Sequence, residues 1–331
     1  MTANQVTLAR IFLLPIPCAM LLFADMTWQW IAFFLFVFLG MTDFIDGMMA
    51  RREGPTKLGG LLDPVADKIM MAAITLSLSG NGWVPAWVPA AILSRELFVT
   101  VLRSSVAMRG QQVKTSNLAK MKTIIQMGGF GTIFMTLFLT PQMASLVAMF
   151  WMVFFLAIWA YWVFVRKESA PHWAIQVAGS FVYWFALLNL TSTETAILLQ
   201  CVVIVGITWF SAIDYLLTSY KLFWATGLGG KDLVRLFWAL AHGVLALFAA
   251  SYNPGLIIPV LISMSFELGL GGVDNIAVAE GKVLNWRLFA VSGAIATWFS
   301  LIQTPGLAII LAVTSGICCW LGAREVKWRF F

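Results

Sequence analysis

The sequence predicts an all-α fold, a polytopic transmembrane helical bundle of about twelve spans. Composition is the first sign: of 331 residues, 61% are apolar and 11% charged, where soluble domains hold about half and about a quarter. Mean hydropathy is +0.89. The second sign is segmentation, because apolar stretches near the ~20 residues of a helical crossing follow one another almost without interruption. The third is the placement of Lys and Arg on alternate loops. These features exclude a secreted disulfide scaffold, a disordered regulator and an ordinary cytosolic enzyme. Barrel strands would read instead as alternating segments of about 10 residues.

The first span, 6–23, has the outline of a leader peptide, but many equally apolar segments follow, so it is expected to stay as a helix. ADMT separates it from 28–49, which ends in acids and Arg51 and Arg52. The third span, 58–79, starts in acids and stops at GNG; 84–108 and 118–139 follow, closed by TPQ. Next come 143–165 and 172–190, then TSTE, then 195–220. The last four are 234–250, 255–272, 287–303 and 305–322, with YNPG and QTP as breaks. The breaks just quoted carry no Lys or Arg. The other loops hold Arg51, Arg52, Lys57, Arg109, Lys114, Arg166, Lys167, Lys221, Lys231 and Lys282, and the tail adds Arg324, Lys327 and Arg329. Both termini are therefore expected on the cytoplasmic side. The net charge of +6 reads as loops at a membrane surface, with no nucleic-acid partner.

Asp43, Asp46, Asp63 and Asp67 crowd one short stretch between the second and third spans. Asp43 and Asp46 are three apart, and Asp63 and Asp67 four apart, so each pair shares a helix face. A short loop with Gly54, Pro55 and Gly59 brings the faces together at the rim. Such a set offers hard oxygen ligands for Mg²⁺ or Mn²⁺, and two ions sharing the acids suit a pyrophosphate ligand and displacement at phosphorus. The plainer reading is a group of rim acids paired with Arg51, Arg52, Lys57 and Lys68. Gly47 and Ala50 lie on the Asp face and remove side-chain bulk, and Arg51 stands where it can hold a phosphate oxygen.

The stretch reads D-x2-D-G-x2-A-R-x7-G-x3-D-x3-D and resembles the signature of the CDP-alcohol phosphotransferase family at every fixed position. The resemblance implies a six-helix core that transfers a phosphoalcohol group from a CDP-linked donor to a hydroxyl, releasing CMP. It implies that Asp43, Asp46, Asp63 and Asp67 hold two divalent ions, that Asp67 is the base, and that Thr7, Asp43, Gly47, Ala50, Arg51 and Gly59 frame the CDP.

RELFVTVLR sets Arg95, Glu96 and Arg103 in the fourth span, where Arg95 needs either an acid such as Glu96 or an anionic ligand. SNLAKMKT adds Ser116, Lys120 and Lys122. Arg95, Arg103, Ser116, Lys120 and Lys122 together suit a phosphorylated acceptor. These segments, with Asn4, Thr7 and Arg10, resemble the bacterial phosphatidylglycerophosphate synthase branch, although Ala119 stands where that branch has glycine. The implied reaction joins CDP-diacylglycerol to sn-glycerol 3-phosphate in the bacterial inner membrane, at its cytoplasmic face, among membrane lipids and in a homodimer. Phosphatidylglycerol, serine or an inositol phosphate are the alternative acceptors. A transporter is a third reading, but the charges concentrate at 43–122 and no repeat of the Asp pattern follows.

The expected organisation is 1–139 as the first five core helices, 140–193 as an inserted hairpin, 194–223 as the last core helix and 224–331 as an accessory module. Glu267, Asp274, Asn275, Lys282 and Arg287 read as a solvated cytoplasmic loop. Cys18, Cys201, Cys318 and Cys319, and His242, read as packed groups, and the GLGG runs at 227–230 and 269–272 as turns or close helix packing.

Overall fold

The structure is a computed structural model and describes residues 2–54, 56–111, 117–166, 172–252, 254–302 and 304–325. Every regular element among them is a helix. The elements are α1 (Ala3–Leu13), α2 (Pro15–Phe23), α3 (Met26–Glu53), α4 (Lys57–Gly80), α5 (Trp87–Ala107), α6 (Asn117–Phe138) and α7 (Pro141–Ala160). They continue with α8 (His172–Leu190), α9 (Thr193–Phe210), α10 (Ile213–Thr226), α11 (Gly230–Tyr252), α12 (Ile257–Ala279), α13 (Trp286–Ile302) and α14 (Pro305–Glu325). Each apolar segment of the sequence appears, with 6–23 divided at Pro15 and 195–220 divided near Ala212. Proline explains the first division, since it has no N–H to continue the ladder.

Seven helical stretches among the described residues are long and apolar enough to cross a membrane, including Ala3–Phe23, Met26–Arg52 and Ile257–Ala279. The protein is a multi-pass membrane bundle. α4 and α5 fall outside that group because each carries more charge: Lys57, Asp63, Asp67 and Lys68 on one, Arg95, Glu96 and Arg103 on the other. Both are nonetheless largely buried by protein along their length.

Local chemistry sets the helix ends. Thr2 and Gln5 close a capping box on α1, Asp25 accepts from the Trp28 N–H at 3.2 Å to start α3, and Thr56 accepts from the Gly59 N–H at 2.9 Å to start α4. Gly54, at φ 89°, ends α3 and allows the tight return into α4.

The chain forms two compact units, residues 1–120 with 208–331, and residues 121–207. The second unit centres on α7 and α8, where Ala144 and Ala148 admit Trp184 and its Nε1 donates to Thr136 at 2.9 Å. In the first, α11 and α12 pack on α5 and α4, so helices on both sides of residue 224 share one unit.

Glu267 and Asp274 do not sit in a solvated loop. α12 runs on to Ala279, and both acids face the interior at 0% and 2% exposure. Trp238 Nε1 donates to Glu267 at 2.6 Å, and Arg235 Nη2 to Asp274 at 2.8 Å. His242 is fully enclosed, and Cys18, Cys201 and Cys318 are buried thiols.

Candidate active site

Thr7 and Arg10 are three apart on α1, so both point the same way, and both are buried. They meet acids from two other helices. Arg10 Nη1 donates to Asp43 at 3.0 Å and lies 3.5 Å from Asp67, while Nη2 forms a short contact with Asp46. The Thr7 hydroxyl lies 2.9 Å from Asp46 and 3.3 Å from Asp63. All four aspartates of the signature thus converge on two side chains of α1.

Exposure differs around the cluster. Asp46 is enclosed at 3%, whereas the side chains of Asp43 and Asp67 are 49% and 44% exposed. The site therefore has a sealed inner wall and an open outer one. Arg10 of α1 pairs with Asp43, Asp46 and Asp67, Lys68 donates to Thr100 at 2.6 Å, and the Lys57 side chain lies outside the described residues.

The four carboxylates offer a donor set of oxygen alone, which fits hard divalent cations. Among the described residues no three such side chains stand at metal-ligand spacing, since Arg10 bridges between them.

The remaining signature residues frame the same corner. Gly47 has open space where a Cβ would be, Ala50 is half-buried, and Arg51 is exposed in the last turn of α3. Gly59 is a close approach instead: a Cβ there would lie 2.9 Å from Thr56 Oγ and 3.0 Å from Asn4 Oδ1. Thr56 also donates to Asn4 at 3.3 Å. Asn4, Thr7 and Arg10 thus form one edge of α1 laid against the signature.

The basic residues divide. Arg95 is 4% exposed and spends three donors within the protein, on Thr208 O at 3.0 Å, Glu96 at 3.0 Å and Ser211 at 2.8 Å. Of the two ways to accommodate Arg95, the geometry supplies the acid. Arg103 is exposed and donates to the Tyr215 hydroxyl at 2.9 Å, with its guanidinium 5.5 Å from that ring centre. Ser116 and the Lys120 side chain lie outside the described residues, and Lys122 is a half-buried residue of the second unit.

Sequence reasoning missed Arg10 as the hub and Ser211 and Tyr215 as partners. The N-x2-T-x2-R spacing was the signal for Arg10. Nothing local marks Tyr215, which meets Arg103 across 112 residues of chain.

Residues 1–164 match the CDP-alcohol phosphatidyltransferase family. A CDP-diacylglycerol–glycerol-3-phosphate 3-phosphatidyltransferase of Cereibacter sphaeroides is 34% identical over 137 residues, 40% of this chain and 62% of the relative. A probable phosphatidylglycerophosphate synthase of Mycobacterium tuberculosis is 34% identical over 151 residues, covering 44% of this chain and 72% of the relative. A Bacillus subtilis CDP-diacylglycerol–glycerol-3-phosphate 3-phosphatidyltransferase is 36% identical, covering 37% and 70%. The chain thus spans less than two thirds of the first of these relatives. No solved structure matches.

Proposed function

Because the chain belongs to the CDP-alcohol phosphatidyltransferase family, we propose that it transfers the phosphatidyl group of CDP-diacylglycerol to sn-glycerol 3-phosphate, giving phosphatidylglycerophosphate and CMP. The observation that carries this reading is the convergence of Asp43, Asp46, Asp63 and Asp67 at the meeting of α1, α3 and α4. The acceptor hydroxyl oxygen bonds to the phosphorus that bears the diacylglycerol, and the bridging P–O bond to CMP breaks. The hydroxyl proton goes to Asp67, whose carboxylate is half-exposed on the open side.

The four aspartates would hold two Mg²⁺ or Mn²⁺ ions, which supply electrostatic stabilisation of charge on the transferring phosphoryl oxygens. Arg10 fixes Asp43 and Asp46 from behind. Gly47 leaves room for the nucleotide, and Arg51 offers a guanidinium to a phosphate oxygen. Arg103, exposed and oriented by Tyr215, is the best-supported group for the acceptor phosphate. The acyl chains stay in the bilayer while the head group reaches the cytoplasmic rim, the side that the loop charges favour for the site and for both termini.

The test is purified protein with CDP-diacylglycerol, Mg²⁺ and a panel of acceptors, followed by CMP release. Release that depends on glycerol 3-phosphate supports the reading. Release that depends instead on serine, an inositol phosphate or phosphatidylglycerol reassigns the acceptor, and no release with any of them removes the transferase reading.

A further inference from the structure

We propose that α12, outside the family match, is a positioning element of the catalytic site, with Gly271 and Gly272 as its positioning residues. The proposal rests on the transferase reading for its kinetic consequence, not for its geometry.

α12 packs along α4 and α5 within one unit. The contact is made by the GLGG run. A Cβ at Gly272 would lie 3.0 Å from both Leu61 Cδ1 and Val65 Cγ2, closer than side chains normally approach. Leu61 and Val65 stand two residues either side of Asp63, and Val65 two before Asp67. They form the back of the helix whose front carries the two acids. Gly271 meets α5 in the same way, with a Cβ position 3.0 Å from Thr100 Cγ2. Thr100 in turn accepts from Lys68, the neighbour of Asp67, at 2.6 Å. Two adjacent glycines therefore let α12 touch both the acid-bearing helix α4 and Thr100 of α5, the partner of Lys68.

The strut is locked. Asp274, one turn beyond, is 2% exposed and takes a short contact from Ser104 of α5 and a bond from Arg235 of α11 at 2.8 Å. Arg235 is fully enclosed and stacks 5.1 Å from the Phe289 ring centre of α13. A buried ion pair breaks only at high cost, so α12 cannot slide past α11 without separating it, and Ser104 ties the same acid to α5. Catalytic groups tolerate displacements of only about half an ångström, and a valine at 272 demands at least a few tenths from α4.

The experiment compares Gly272→Val, Gly272→Ala and Gly316→Ala in the full chain. Gly316 lies in α14, where a Cβ finds only ordinary contacts against Phe266, so its variant is expected to match wild type. Gly272→Val is expected to lower kcat roughly tenfold or more, with KM for glycerol 3-phosphate changed less than about twofold. Gly272→Ala should fall between. The second readout needs no turnover: spin labels at Met41→Cys on α3 and Gly60→Cys on α4, in a Cys319→Ala background, report the spacing of the two acid-bearing helices. Met41 is exposed, and a Cβ at Gly60 meets nothing. The distance is expected to shift in Gly272→Val and to return when Leu61→Ala is added, together with kcat; a general loss of packing would not be relieved by a second truncation. An unchanged distance, an unchanged kcat or no relief by Leu61→Ala overturns the proposal. If wild type transfers nothing, the transferase reading falls, and the label distance alone decides the role of α12. Should Gly272→Val not fold, Gly272→Ala carries the same comparison.

Discussion

Arg10 of α1 and Asp46 of α3 form an ion pair with side chains 0% and 3% exposed, at the inner wall of the acidic cluster. The Arg10 Nε is also buried without a hydrogen-bond partner. A guanidinium held this way is committed to its carboxylates. Removing it leaves Asp46 enclosed without its counter-charge. Arg10→Ala is therefore expected to cost about 3–5 kcal/mol and to abolish CMP release. Arg10→Lys keeps the charge but reaches one carboxylate at a time, so part of the stability should return and little of the activity. Thermal unfolding in detergent, alongside CMP release, checks both.

Asp67 is assigned the proton of the acceptor hydroxyl, and its half-exposed carboxylate also stands 3.5 Å from Arg10. Asp67→Asn cannot accept that proton. It should abolish turnover while the protein still inserts, and Asp63→Asn should be comparably severe. Retention of more than about a tenth of the wild-type rate at saturating Mg²⁺ would show that another group takes the proton. Chelation should likewise stop CMP release, and Mg²⁺ or Mn²⁺ should restore it; activity that survives exhaustive chelation removes the ions from the proposal.

Arg95 and Arg103 share a span and a charge but not a fate. In the proposed role Arg103→Ala would remove a charge-assisted bond to the acceptor phosphate, worth about 1.5–3 kcal/mol, so KM for glycerol 3-phosphate should rise roughly tenfold or more. Tyr215→Phe keeps the ring under the guanidinium and loses only the hydroxyl, so a rise of a few-fold is expected. Arg95→Ala instead removes a buried ion pair with Glu96 and the donors to Thr208 O and Ser211, and should appear as lost thermal stability. Steady-state kinetics with each substrate varied separate these cases. A rise in KM for CDP-diacylglycerol alone would move Arg103 to the nucleotide.

How far the sequence discloses these features depends on how local each signal is. The helical segments were legible because a span must be long and apolar whatever it packs against. The four aspartates were legible because spacings of three and four define a helix face without tertiary information. Arg10 was harder, since its meeting with Asp43 and Asp46 depends on how α1 lies across α3. Tyr215 and Ser211 were not legible at all, because their partners on α5 are more than a hundred residues away in sequence. Glu267 and Asp274 were misjudged for a related reason: their partners Trp238 and Arg235 belong to another helix, and near the expected end of a span an acid looks solvated until that helix is placed.

The last prediction concerns the C-terminal helices as a whole. α11 meets α5 so closely that a Cβ at Gly243 would lie 1.9 Å from Ser94 Oγ. Just past the end of α5, Arg109 pairs with Asp232 of α11 at 2.6 Å and also bonds Gly227 O at 3.2 Å. A chain ending at Gly230 loses Asp232, Arg235 and Asp274, so Arg109 and Ser104 both lose their acids. Lipid replaces the apolar contact of α11 and α12 at little cost, because acyl chains are as apolar as leucine. It cannot replace the hydrogen bonds or the shape that Gly272 presents to α4. The shortened chain is therefore expected to insert and to stay monodisperse in detergent, to unfold at a lower temperature, and to release CMP at least roughly tenfold more slowly than the full chain. Supplying residues 231–331 as a separate, co-expressed fragment should recover part of that rate. A truncated protein that is folded and fully active would instead make these helices a dispensable appendage to the site.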